Sequence, residues 1–329
     1  MLCTNQISPP NVETYLNLAP PEEKEYIPSE GETCNLSAED RRVKLLASDF
    51  SGTVTSTDVF RLGVQTSTQF KYGSNRYRES ILKDYADLHW RWRNEIEKIV
   101  RGRLKKSYSC RFNLGGIEYL IWDITLENVN WAKRIAHKHT FDDVLLPRLK
   151  LAAKEVKLFS GVLSFIEKLK TQTTASFRIL SLSYFDELVY ASLDGLVPKE
   201  DIFTGRPPVL NGATRGLMKS DLTNGFDKRN FLRLWRNANK SEGKVIFVGD
   251  DITDLLALLE ADIGFILKGN ERTVQIAKHF GVTVLPISRL LHTQLTLENS
   301  EETEECGKKK VLYLVDSWSE IEEFVFGTC

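Results

Sequence analysis

The sequence predicts an α/β fold built on a parallel, doubly wound sheet. Short apolar runs at 43–47, 177–180, 244–248 and 262–267 recur with helical patterns between them. Strands alternating with helices mark successive βαβ units. Three of the polar residues that follow these runs, Asp49, Ser181 and Asp250, stand where a strand would end. In an open α/β sheet the ligand crevice lies beyond the carboxyl ends of the strands. Parallel topology therefore gathers all three at one edge.

The bulk properties narrow the function. The chain has 329 residues, enough for a large core. A net charge of −1 argues against a general nucleic-acid binder, which needs a basic footprint. No apolar run reaches ~18 residues, so no membrane-spanning helix is expected. Cys3, Cys34, Cys110, Cys306 and Cys329 are scattered without C-x-x-C spacing and read as free thiols of a reducing compartment. The N-terminus lacks a basic start and an apolar core, and it carries Glu22, Glu23, Glu25, Glu30 and Glu32. That composition matches neither a secretory signal nor a transit peptide, and a cytoplasmic protein is expected.

Residues 1–41 hold Pro9-Pro10, Pro20-Pro21 and Pro28 among acidic and polar side chains. Such a segment buries little apolar surface and is expected to be a disordered tail. Strand 43–47 follows and delivers Asp49. Over 57–156 the chain changes character. Ile81, Tyr85, Leu88, Trp92 and Ile96 recur at helical spacing, predicting one or two amphipathic helices over 75–106. Asn113-Leu114-Gly115-Gly116 reads as a turn, and further helical patterns cover 128–139 and 141–157. This stretch is expected to be a helical module inserted into a core formed by 42–56 and 157–329. Trp90, Trp92, Trp122 and Trp131 are read as helix core, with a platform for a flat ring as the alternative. His89, His137, His139, His279 and His292 show no ligand spacing and receive no role.

Beyond the module, Leu158-Phe159-Ser160-Gly161-Val162 opens a helix to 170. Strand 177–180, helix 186–193, a strand or hairpin within 201–218 and helix 227–237 come next. Strand 244–248, helix 252–260, strand 262–267 and helix 270–280 continue the alternation. Strands at 282–285 and 311–315, separated by a charged exposed loop over 298–310, precede a short helix ending at Phe326.

The polar residues at the predicted sheet edge imply a chemistry. Lys228, at the start of a helix, joins Asp49, Ser181 and Asp250. Two carboxylates facing one another repel unless a cation separates them. Mg²⁺ takes one or two protein carboxylates, completing its shell with water and phosphate oxygens. Lys228 and Ser181 would hold phosphate oxygens, with Ser183 competing for the role of Ser181. Asp49 would attack phosphorus and form an aspartyl-phosphate. Backbone N–H groups of the turn at Gly52 and Thr53 would steady the developing charge.

This series resembles the haloacid dehalogenase superfamily of phosphatases over about 43–326. Asp49-Phe50-Ser51-Gly52-Thr53 stands for the first motif, Ser181 for the second and Lys228 for the third. Gly249-Asp250-Asp251-Ile252-Thr253-Asp254 stands for the fourth. The resemblance implies a Rossmannoid parallel sheet with an inserted helical cap of the C1 type, which reads the leaving group. It also implies Mg²⁺ held by Asp49, the backbone carbonyl of Ser51 and Asp250, with Asp254 as the supporting acid of the metal set. A closer similarity is to the plant thiamin monophosphate phosphatases. It is carried by Val248-Gly249-Asp250, the run Asp254 to Gly264, Phe280-Gly281-Val282-Thr283, Val311-Leu312-Tyr313 and Ser317 to Ile321. In that family the domain follows a TenA-type domain. Here about 40 residues precede it, too few for one.

One position departs from the family. The second Asp of the first motif, its general acid and base, is Ser51 here. A serine hydroxyl has no pKa near 7, and general acid–base catalysis contributes ~10²–10⁴-fold. Three readings stand. One is a Mg²⁺-dependent phosphatase acting, slowly, on a small phosphorylated metabolite such as thiamin monophosphate. The second is a noncatalytic binding protein that keeps the fold. The third is a phosphotransferase-like protein with a long-lived aspartyl-phosphate.

Overall fold

The computed structural model describes residues 41–71, 75–105, 112–137, 144–205, 208–214, 222–239, 241–292 and 310–327. The predicted tail up to 40, all five cysteines, His139 and the charged loop over 298–309 lie outside the described residues.

The chain begins with β1 (Val43–Ser48) and then enters four helices: α1 (Val59–Lys71), α2 (Asn75–Leu104), α3 (Leu114–His137) and α4 (Leu146–Ala152). It returns through α5 (Val162–Gln172), β2 (Ser176–Leu180), α6 (Asp186–Ser192) and β3 (Ile202–Phe203). A small hairpin, β4 (Val209–Leu210) and β5 (Ala213–Thr214), leads to α7 (Gly225–Ala238) and β6 (Lys244–Gly249). There follow α8 (Leu255–Glu260), β7 (Ile263–Leu267), α9 (Glu271–His279), β8 (Thr283–Pro286) and α10 (Ile287–His292). The last elements are β9 (Val311–Val315) and α11 (Trp318–Phe326).

Seven strands form one sheet in the order β3-β2-β1-β6-β7-β9-β8. Every pairing in it is parallel. The expected α/β architecture is therefore present, with helices inserted between β1 and β2. The central strands are apolar throughout because both sheet faces are covered. Their alternation divides two buried clusters. Leu46, Ile246, Val248 and Phe265 pack to one side with α5 and α11. Leu45, Ala47, Val245, Phe247 and Ile266 pack to the other with α8. A register irregularity between Val43 and Leu45 puts Val43 on the same side as Leu46.

The periodic stretch from 75 is one continuous helix, α2, of the one or two expected. Two other segments differ from the sequence reading. The Asn113-Leu114-Gly115-Gly116 segment begins α3, with the Asn113 side chain accepting the Gly116 N–H at 2.8 Å. Glycine suggested a break, but an Asn at an N-cap competes effectively with a turn. The helix over 287–292 was not anticipated, because its six residues carry too little periodicity.

The insert leaves and rejoins the core at one neck. Thr55 bridges Leu158 in antiparallel fashion. The Phe159 N–H donates to Val54 O at 2.9 Å, and Thr55 Oγ1 donates to Lys157 O at 2.7 Å. Further out, the insert touches the core through ion pairs of Arg272 with Glu97 at 2.9 Å and Arg229 with Glu118 at 2.6 Å.

Candidate active site

Each member of the site is delivered by a different element. β1 ends in Asp49, whose N–H donates to Val248 O at 2.9 Å on the neighbouring β6. The chain turns at once: Val54 N–H reaches Phe50 O at 2.8 Å and Gly52 N–H reaches Thr55 O at 2.8 Å. Gly52 sits at φ +86°, and a Cβ there would collide with the Asp250 carboxylate. Only glycine is comfortable in that conformation. Thr53 is fully buried, and its Oγ1 donates to Asp250 Oδ1 at 2.6 Å. From the far end of the chain, Trp318 Nε1 donates to Thr53 O at 2.8 Å. The turn therefore ties the tips of β1 and β6 together and rests on α11.

β6 ends in Gly249 and leads to Asp250. Asp251 caps the next turn by accepting the Thr253 N–H at 3.0 Å. Asp254 folds back, its Oδ2 accepting the N–H groups of Asp250 at 3.1 Å and Asp251 at 3.0 Å. α7 starts on an Asn224 cap that accepts from Phe226 and Asp227. Its Gly225 lies so close to the Thr253 carbonyl that a side chain would clash. This close approach sets Lys228, three residues on, against the carboxylates.

Lys228 is 1% exposed. Its Nζ lies 3.0 Å from Asp49 Oδ1 and 2.6 Å from Asp254 Oδ1. Both oxygens of Asp254 are thus engaged, which places it behind the other two carboxylates as their organiser. One carboxylate oxygen from each of Asp49, Asp250 and Asp254 lies within 4.8 Å of the others.

The electrostatics follow from burial. Burial raises Asp49 to about 6 against the opposing charge of Lys228. Burial, with the charges of Asp254 and Asp49, raises Asp250 to about 8. Burial works to lower Lys228, but Asp254 and Asp49 outweigh it and the ammonium is held above its ordinary value. Three carboxylates share one ammonium. Asp49 Oδ1 is buried and faces the Lys228 ammonium. A hard divalent cation with oxygen ligands fits that donor set and would relieve the repulsion.

A cavity of about 560 Å³ opens above these groups, lined at its floor by Asp49, Ser51, Ser181, Ser183, Lys228 and Asp250. Ser181 is buried, and its Oγ accepts the Ser183 N–H at 3.3 Å. Ser183 Oγ is buried without a partner. Ser51 is half-buried beside Thr55, to which it is bridged. The Gly52 N–H is directed to Thr55 O, and Thr53 N–H to Phe50 O at 3.4 Å.

The upper wall is aromatic: Phe60, Tyr85, Trp92, Trp131 and Tyr184. Phe60 lies 4.6 Å from Trp131 and 5.2 Å from Tyr184 between ring centroids. Trp92 donates from Nε1 to Asn128 Oδ1 at 2.8 Å. Of the four tryptophans read as core, Trp131 is buried and Trp92 is half-buried, both on the cavity wall. Trp90 is 65% and Trp122 54% exposed. Exposure separates them because 90 and 122 fall on the outer faces of their helices. Sequence reasoning gave His89 and Asp58 no place in the site, yet both line the cavity. The signal was available: His89 lies four residues after Tyr85 and seven before Ile96, on the same stripe of α2.

No family model matches the chain. The bifunctional TH2 protein, mitochondrial, of Arabidopsis thaliana is 24% identical over 268 residues, covering 77% of this chain and 43% of its own length. This chain thus spans less than half of that relative. A solved structure of cytosolic 5′-nucleotidase IIIB bound to cytidine aligns at TM-score 0.48 with 11% identity, over 88% of this chain and 86% of its own. A phospho-aspartyl intermediate analogue of phosphoserine phosphatase aligns at TM-score 0.46 with 12% identity, over 86% and 99%. In its motif series and its parallel α/β sheet the chain resembles the haloacid dehalogenase superfamily, and in sequence it is similar to the plant TH2 protein.

Proposed function

We propose that the chain is a Mg²⁺-dependent phosphatase of small phosphomonoesters, with thiamin monophosphate as the leading substrate. The observation that carries this reading is the convergence of four groups from separate elements. Asp49, Lys228, Asp250 and Asp254 meet at one buried point beside the cavity. In this reading 57–156 is the cap and 42–56 with 157–329 the core.

Asp49 is the nucleophile. Its carboxylate attacks phosphorus, the ester bond breaks, and an aspartyl-phosphate forms that water then hydrolyses. Lys228 holds Asp49 in place, and with Ser181 or Ser183 it binds phosphate oxygens. Asp49, Asp250 and the Ser51 carbonyl would hold the metal, with Asp254 fixing Asp250 from behind. Mg²⁺, when bound, neutralises phosphate charge and makes phosphorus more electrophilic. The aromatic wall suits a flat ring on the leaving group. The thiamin-related candidate comes from the resemblance of the core motifs to the plant thiamin monophosphate phosphatases. A cytoplasmic location belongs to the same reading; fractionation tests it against the mitochondrial address in the relative's name.

A phosphomonoester panel with and without Mg²⁺, including thiamin monophosphate and pyridoxal phosphate, tests the reading. Metal-dependent phosphate release that disappears in Asp49→Asn is expected. Ser51 favours a second reading, a binding protein that has lost turnover. Mg²⁺ binding without hydrolysis of any ester would select it over the phosphatase.

A further inference from the structure

The floor of the cavity has a nucleophile and phosphate holders but lacks the proton donor that the leaving oxygen requires, because Ser51 cannot supply one at neutral pH. The groups lining the same cavity divide cleanly. Tyr184 is pushed up to about 12 by burial, and Tyr85 is pushed up by burial and by Asp58. Neither phenol exchanges a proton near neutrality. Arg93 and Arg272 remain charged. Asp58 caps α1, its Oδ1 accepting the Arg61 N–H at 2.9 Å. Asp251 caps its own turn through Thr253. His89 remains, the one imidazole among the described lining residues.

His89 is half-buried and clamped by rings. It stacks on Tyr85 at 5.8 Å and 25°, and lies 5.3 Å from Trp92 and 6.5 Å from Trp131. Its ring contacts leave the nitrogens free of hydrogen bonds to other described residues. Burial lowers its pKa, the Asp58 carboxylate raises it, and Arg93 and Arg61 lower it. A ring so held keeps a fixed orientation, and imidazole is the side chain whose ordinary charge change falls nearest neutral pH.

We infer that His89, on the helical insert, is the general acid and base of this site, doing from above the work that Ser51 cannot do from the floor. The inference rests on the phosphatase reading. In the first step the bond from Asp49 oxygen to phosphorus forms and the bond from phosphorus to the leaving oxygen breaks. The leaving oxygen takes a proton from the His89 imidazolium. In the second step water oxygen bonds to phosphorus and the Asp49–phosphorus bond breaks. The water proton passes to the neutral His89, so that alcohol and phosphate leave and both side chains are restored.

The test compares His89→Gln with wild type on two esters at saturating Mg²⁺. One is an alkyl phosphate that the wild type hydrolyses. The other is p-nitrophenyl phosphate, whose leaving group departs without a proton. The alkyl ester should slow ~10²–10⁴-fold. On the aryl ester a burst of about one p-nitrophenol per chain should precede a slow steady rate, because only the water step then needs the base. Adding Ser51→Asp to the variant should restore most of the alkyl-ester rate. A structural role would slow both esters alike and give no burst; that result, or an alkyl-ester rate within threefold of wild type, overturns the inference. His89→Asn, read in the same way, replaces the Gln variant if circular dichroism shows the latter unfolded. A wild type inactive on both esters instead overturns the phosphatase reading itself, and the inference falls with it.

Discussion

Replacing Lys228 by Met tests whether the buried charge cluster organises the site. The ammonium lies 3.0 Å from Asp49 and 2.6 Å from Asp254, and it is 1% exposed. At an effective dielectric of ~20 each contact is worth about 5–6 kcal/mol of attraction. Desolvating each ion costs several kcal/mol, so the intact cluster contributes far less than the sum. The variant keeps the cost and loses the attraction. Removing one partner of a buried pair typically costs ~3–5 kcal/mol, and that is the loss expected in urea unfolding with chelator at pH 7.5. The deficit also has a sign in pH. Burial already raises Asp49 to about 6 with Lys228 opposing it, and without the ammonium it rises further. A carboxyl whose folded pKa is raised stabilises below its unfolded pKa and loses that stability as pH rises through the folded value. The deficit of Lys228→Met should therefore shrink between pH 7.5 and pH 5. Pairing it with Asp254→Leu, which removes a buried charge, should return at least half the loss. A loss under ~1 kcal/mol, or one that grows on acidification, refutes the reasoning.

Other expectations follow from neighbouring features. With chelator present, thermal stability should fall from pH 5 to pH 8.5. Asp250, raised to about 8 mainly by burial, favours the folded state only while protonated. Mg²⁺ should restore the melting temperature most at the alkaline end, and a metal effect independent of pH would contradict this. Gly52→Ala puts a side chain into the Asp250 carboxylate at φ +86°. It should cost ~1–3 kcal/mol and weaken Mg²⁺ binding measurably by calorimetry. Trp318→Phe keeps the packing of α11 but removes the 2.8 Å hydrogen bond to the Thr53 carbonyl. Leaving that buried acceptor unpaired should cost ~1–3 kcal/mol in denaturant unfolding.

The sheet was legible because both of its faces are covered. Runs such as Val245–Val248 are apolar without interruption, and a buried parallel strand has no other way to look. The strand-tip carboxylates were legible for the same reason: a charge at the end of an apolar run has a definite address. The insert was less so. Gly115 and Gly116 argued for a turn, whereas the Asn113 cap begins a helix there. Asp254 read as the supporting acid of the metal set, and spacing did not foretell that its oxygens accept from Lys228 and two backbone N–H groups. Spacing alone does not say which oxygen a neighbour has already claimed. His89 was passed over because a lone histidine carries no motif. Its surroundings come from α1, α2 and α3 together, and only their packing brings Asp58, Tyr85 and Trp131 around it.

The hydrogen bond from Trp318 to Thr53 spans 265 residues. On a ribosome adding ~5–20 residues per second, the turn that shapes the nucleophile waits roughly 13–50 s for its prop to be made. Asp250, paired with the same turn from 197 residues away, arrives before it. A nascent chain can fold its early helices, but it has no finished reaction centre until α11 docks. On the phosphatase reading, translation products that stop short of α11 should accordingly be inert towards phosphoesters.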